Sequence, residues 1–435
     1  GGRVPALLSF DRAPPFAAPL RFFLTAPLFS LAAGLLLLFV GPDLLASRWT
    51  PGLLAATHLI TVGFMLMVML GALIQILPVV AGANLDNPLA VARWLHAGLS
   101  AGALLLAAGF LLGQGALLGA AALILGLEVA AFLVASGRTL AGVPSTSPTI
   151  RGLKLALVGL AGAVGLGAWL ALAIANGWAV PLPSLADLHA GWALGAWAGI
   201  LLAALAYVVV PMFQLTPGYP ARPSWWFPGA MLGLMAAWAL GVVLDAAAAV
   251  RLVQALSALA GIGFALLTLR LQAQRRRARS DVTYRYWQIG LASAILALAM
   301  VLTAAAWPPL ADAAGWSIFS GILFLVGGFM SFIIGMLYKI VPFLAWMHLR
   351  NRGSARSPVP NMNKLLPEAD TQRQMQAHAV ALALLLAAVI EPGWLARPAG
   401  VALAVASGWL MVNLLGAARR YRQHLEKLDR EAVAA

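Results

Sequence analysis

The sequence of 435 residues contains no cysteine. Disulfides, thiolate-bound metals and iron–sulfur clusters are therefore excluded. Any metal or haem must be held by His, Met, Tyr or a carboxylate. Charge is scarce as well. Only 10% of the residues are charged, with 14 Asp and Glu against 28 Lys and Arg, and there are six histidines. A soluble domain carries about a quarter charged residues, so that class is excluded too. No phosphate-cradling Gly loop, nucleophile triad or glycosidase-type carboxylate pair occurs.

What is present is hydrocarbon. Hydrophobic residues make up 62% of the chain, and 15 Trp suit anchoring at a membrane interface. The chain reads as an all-α integral membrane protein whose first partner is the lipid bilayer. Apolar runs long enough to cross it lie at roughly 20–44, 52–80, 89–113, 115–137, 152–176, 186–213, 225–246, 249–271, 286–307, 315–347, 374–392 and 395–418. That makes twelve spans in one transmembrane domain, 20–418, with an N-terminal arm over 1–19 and a short C-terminal helix over 419–435. Lys and Arg gather in the loops on the side of the two termini. Only Arg48, Arg251 and Arg397 lie on the other side. This bias predicts cytoplasmic termini. The net charge of +14 then reflects loop topology, and no nucleic-acid partner is expected. The densest cluster, QRRRARS at 274–280, reads as a topology anchor that meets anionic lipid.

The second span carries the chief functional signal. Residues 57–82 read THLITVGFMLMVMLGALIQILPVVAG, with His58 about one turn inside. An ionisable group within a span is costly and points to function. Gly63 and Gly71 leave room for something bulky on one side of this helix. The stretch recurs. IQILPVV, YVVVPMF and YKIVPFL occur in the second, sixth and tenth spans, with Pro78, Pro211 and Pro342 in register. His189 lies 22 residues before Pro211 and Ser320 lies 22 before Pro342, while His58 lies 20 before Pro78, a slip of two residues. The pattern predicts three four-helix units, 20–137, 152–271 and 286–418. All three helices run from the outer face inwards, so His58 and His189 should lie at similar depth near that face.

Other polar residues have structural readings. Asp187 reads as a cap of the sixth span. His96, His348 and His378 read as solvated imidazoles towards the inner interface, and His424 as a surface residue. Gln75, Tyr207 and Tyr338 read as helix-to-helix hydrogen-bond partners, and the Met65, Met67 and Met69 run as core filler. Glu128, the one carboxylate near mid-membrane, is a proton-relay candidate or a polar structural group.

The three units, the outer-face histidines and the helix 2 spacing resemble subunit I of the haem–copper oxidase superfamily. The spacing His58-x4-Gly63-x7-Gly71-x6-Pro78-x3-Gly82 and the opening RFFLTAPLFSLAAGLLLL are most similar to the NnrS offshoot, which is linked to nitric oxide stress. The resemblance implies a haem b, with copper as the second candidate. It implies His58 and His189 as ligands, Gly63 and Gly71 beside the cofactor, and handling of electrons or a diatomic gas such as nitric oxide. It implies residence in a bacterial inner membrane, with respiratory-complex subunits or a redox partner. The departures are specific. Ser320 replaces the outer-face histidine of the tenth span, the seventh span has no His pair, and Ala56 stands where NnrS proteins have a second histidine. His189 is followed by Ala190-Gly191-Trp192, not by Glu-Val-Tyr. An oxygen-reducing copper centre is therefore not implied. Two other classes remain open. One is a cofactor-free scaffold or anchor subunit of a respiratory complex. The other is a small-molecule transporter that uses Glu128.

Overall fold

The computed structural model describes residues 8–276, 279–353 and 358–435. The first seven residues of the arm and part of the 274–280 cluster lie outside the described residues. The described chain is helical, without strands. Twelve helices are long and apolar enough to cross a membrane: α1 Ala17–Leu45, α2 Pro51–Ala81, α3 Pro88–Leu112, α4 Gly115–Ala141, α5 Pro148–Asn176 and α6 Leu182–Gln214, then α7 Ala221–Val243, α8 Ala247–Ala273, α9 Val282–Ala306, α10 Trp316–Arg352, α11 Glu368–Ile390 and α12 Pro392–Ala434. Local chemistry sets their ends. Thr50, Asn87 and Ser147 each accept a hydrogen bond from a first-turn N–H, and a proline follows each at the first helical position. Gly113 and Gly177 end α3 and α5 with φ of 61° and 65°, a backbone shape that favours glycine.

α2, α6 and α10 form the inside of the bundle. The buried shares of their apolar windows are 78%, 67% and 56%, against 50% or less for every other span. Helices apolar on all faces are those a bundle buries. These three share a second feature. Each contains a π-helical stretch: Leu59–Leu66, Trp192–Gly199 and Leu323–Phe329. From 59 to 78, from 192 to 211 and from 323 to 342, the interval between π start and proline is the same 19 residues. A π stretch shifts the backbone to i→i+5 bonding and is frequent at functional sites. The correspondence of these helices thus extends from sequence into backbone geometry.

The first and last helices close the bundle. A Cβ on Gly34 would stand 2.6 Å from the backbone N of Ala404, and one on Gly400 would stand 2.6 Å from that of Leu38. The two backbones cross in contact, which only small residues allow. Arg397 donates to the carbonyls of Leu38 and Phe39 at 2.5 and 3.2 Å, satisfying the end of α1.

Both ends of the chain differ from the sequence reading. The described part of the arm packs against the ends of the helices, a contact the sequence reading did not foresee. Ser9 N donates to the Val79 carbonyl at 2.9 Å. Phe10 meets Phe343 edge-on at 5.1 Å, and Phe16 stacks on His348 at 5.5 Å. The reason is that the Pro-rich stretch also carries apolar anchors that find room between helix ends. At the other end, α12 runs without a break as one helix of 43 residues, so 419–435 is not a separate element.

Candidate functional site

His58 closes the α-helical first turns of α2, directly before its π stretch. Its Nδ1 lies 2.7 Å from the Leu54 carbonyl. A carbonyl only accepts, so Nδ1 carries the hydrogen and Nε2 keeps its lone pair in the neutral ring. Phe110 of α3 stacks on the imidazole at 5.1 Å and 28°. The ring is thus held by its own helix on one side and by an aromatic on the other.

His189 lies at a similar level on α6, three residues before its π stretch, where His58 lies one residue before its own. Its Nδ1 is buried without a hydrogen-bond partner. The ring lies towards the Ala163 carbonyl of α5, but outside the geometry of a bond to Nδ1. Space for it comes from Gly167, where a Cβ would stand 2.9 Å from the imidazole Cε1. Below it, Trp192 Nε1 donates to the Met235 carbonyl of α7 at 3.1 Å, which fixes the rotation of α6.

The fold brings the two histidines within electrostatic reach of each other. An ion pair at the same end joins the segment leading into α2 to α6: Arg48 Nη1 to Asp187 Oδ1, 2.8 Å. Asp187 is therefore not the cap of α6. Pro181 takes the cap position, with no side-chain cap bond.

Gly63 and Gly71 are spoken for by α1. A Cβ on Gly63 would collide with the Phe29 ring, and one on Gly71 would stand 2.6 Å from Phe22 Cβ. The bulky groups these glycines admit in this structure are aromatic side chains of a neighbouring helix. Glu128 is also apart from the pair. Its carboxyl packs against Gly98 of α3, and Oε2 is buried without a partner. Gly98 lies 12 residues before Phe110 (110 minus 98) on one continuous helix, about 18 Å along its axis.

Of the remaining histidines, His378 is not the solvated imidazole expected, and His96 and His348 are half-buried. His378 is 1% exposed, and its Nε2 reaches the Val326 carbonyl at 3.0 Å and Ser331 Oγ at 3.1 Å. Val326 lies inside the π stretch of α10, so His378 fills the backbone defect there. His96 Nε2 meets Thr25 Oγ1 at 2.8 Å while that hydroxyl donates to the Arg21 carbonyl. The imidazole must therefore be the donor, joining α3 to α1. His348 lies under Phe16 with Nε2 buried and unpartnered. His424 is half-exposed on the tail of α12.

The sequence reading missed a polar cluster in α9–α12. Tyr286 OH donates to Gln374 Oε1, and Asn413 Nδ2 donates to Tyr338 OH at 3.0 Å and to the Asp370 carbonyl at 3.2 Å. Lys339 pairs with Asp281 at 2.7 Å. Single polar residues in otherwise apolar spans were the available signal. Tyr338 fulfils its expected helix-to-helix role, whereas Gln75 Oε1 and Tyr207 OH are buried without partners.

The donor set suits a metal group that needs two nitrogens. Two neutral imidazoles can take the axial positions of a haem iron or two positions on copper. One of them already has its Nδ1–H tied to a carbonyl, the arrangement that orients a ligating histidine. Among the described residues no group of three His, Asp or Glu gathers that could hold a metal ion. A closed four-ligand zinc site is therefore not what these side chains build. No protein-family model matches this chain, and no curated protein matches it.

Proposed function

We propose that the chain is a redox or gas-handling membrane protein of the haem–copper oxidase-like, NnrS-like type, with a haem held by His58 and His189 and copper as the second candidate. The observation that carries this reading is the pair itself. Two imidazoles on matching inner helices, each just before a π stretch, lie within electrostatic reach. One has its Nε2 lone pair left over by the bond to Leu54, and the other has a buried, unpartnered Nδ1. Bound there, iron would supply one-electron chemistry or a position for a diatomic ligand such as nitric oxide. The protein's part is to orient the rings through Leu54, Phe110 and Gly167, and to hold the segment leading into α2 against α6 through Arg48 and Asp187. The common 19-residue interval supports descent of the bundle from three four-helix units. The loop charge bias supports cytoplasmic termini in a bacterial inner membrane, where a redox partner or respiratory subunits would meet the protein. Glu128 is a separate proton-relay candidate on α4.

The test is spectroscopic. Protein made in haem-replete cells and then reconstituted with haem should show a Soret band, with sharp reduced α-bands if both axial ligands are His. His58→Ala and His189→Ala should each shift or abolish it, and should abolish stoichiometric copper uptake if copper is the bound metal. Folded, monodisperse protein that takes up neither haem nor copper sinks the proposal and leaves the cofactor-free scaffold. Glu128→Gln should leave the spectrum unchanged while slowing proton uptake on reduction. Unchanged uptake removes the relay role.

A further inference from the structure

Between the three inner helices, on the terminal side of their π stretches, lie two adjoining cavities of about 90 and about 50 Å³. Both are lined by Phe23, Ala72, Ile76, Leu205, Val209 and Ile340, so they form one column. Its upper part reaches Ala198 and Phe329 within the π stretches of α6 and α10, and Val68 and Met69 just after that of α2. Its lower part is lined by Leu8 and Phe10 of the N-terminal segment, which the Ser9–Val79 hydrogen bond holds in place. Val68 is 10 residues beyond His58 (68 minus 58), so the column begins about 15 Å below the histidine level.

The chemistry of the walls selects the guest. One water needs only about 10–15 Å³ of such space, but it also needs two to four polar partners. The column offers little of that kind. Gln75 Oε1 on the lower part and Trp287 Nε1 on the upper part are its unpartnered buried polar atoms. Gln75 and Thr149 line the lower part and Trp287 the upper, but the surface turned to the column is almost wholly apolar, so a water in either would lack its set of partners. Apolar cavities of this kind stay dry and take up apolar guests.

We propose that this column is a binding site for a small, uncharged, apolar molecule of a few heavy atoms, separate from the histidine pair. The N-terminal segment lines its lower part, and Ala72, shared by both parts, stands at its waist. The inference is independent of any metal at His58 and His189, and its test reads the guest directly.

The probe is xenon. Crystals of the full chain pressurised with xenon should give an anomalous-scattering peak beside Ala72. Ala72→Leu fills the waist without touching a polar group, and its crystals should lose the peak at least tenfold in occupancy. Val209→Phe does the same from α6 and serves if Ala72→Leu does not fold. Phe10→Ala widens the lower part and should keep the peak. An undiminished peak in the two folded filling variants overturns the assignment, as does wild-type density showing an ordered water chain that xenon does not displace. The haem and copper measurements on the same preparations report on the histidine pair alone, so the two readings fail separately.

Discussion

His378→Leu removes the only imidazole that bridges α11 to the π stretch of α10. The wild-type ring gives Nε2–H to the Val326 carbonyl at 3.0 Å and lies 3.1 Å from Ser331 Oγ. Leucine is of similar bulk, so the loss is of polarity and not of volume. In membranes a side-chain hydrogen bond between helices is worth about 0.6 kcal/mol on average and about 1.7 at most. Leaving a buried acceptor unsatisfied costs about 1–3 kcal/mol. Here the acceptor is not wholly abandoned, because Ser331 Oγ already reaches the same carbonyl at 3.4 Å and can tighten. The expected loss is therefore about 1–2 kcal/mol. His378→Gln keeps an amide donor and should recover at least half of it. Ser331→Ala combined with His378→Leu should cost more than the two singles together, by about 0.5–1 kcal/mol, because each hydroxyl or ring covers for the other. The assay is reversible unfolding in mixed micelles, with hydrogen exchange followed over residues 323–331. A loss under about 0.3 kcal/mol for His378→Leu, or strictly additive mutations, would refute the idea that this histidine satisfies the π carbonyl.

Two further outcomes follow from the bundle's outer contacts. Gly34→Val places a branched side chain where the nearest neighbour is the Ala404 backbone N at 2.6 Å. Backbone cannot yield as a side chain can, so α1 and α12 should part, at a cost at or above the usual 1–3 kcal/mol of overpacking (about 3). Leu35→Val on the lipid-facing side of the same helix should cost little, and equal thermal stability of the two variants would contradict the crossing. Asp187→Asn breaks the ion pair to Arg48, whose partners are 34% and 47% exposed. It should cost no more than about 1 kcal/mol, shrinking as salt is raised to about 1 M. A salt-independent loss of several kcal/mol would show that this pair does more than tie the segment leading into α2 to α6.

Much of the fold was legible along the chain, for a physical reason. A span in an apolar medium must satisfy its backbone within itself, so its length and ends are written locally. The apolar runs give all twelve helices, with most ends within about five residues, but α11 begins at Glu368 and α12 runs on to Ala434, well beyond the runs that mark them. The prolines at 78, 211 and 342 singled out the three helices that turn out to be most buried. Sequence also placed His58 and His189 on matching helices at similar depth, two residues out of register with their prolines. It could not say what each side chain faces, because that depends on rotations of packed helices, set by contacts between residues far apart in the chain. Tertiary packing alone decided that Phe29 and Phe22 fill the spaces at Gly63 and Gly71, that Asp187 reaches back to Arg48, and that His378 seals a π carbonyl instead of meeting solvent. The same packing brought the two outer histidines into each other's field and left a dry column beneath them.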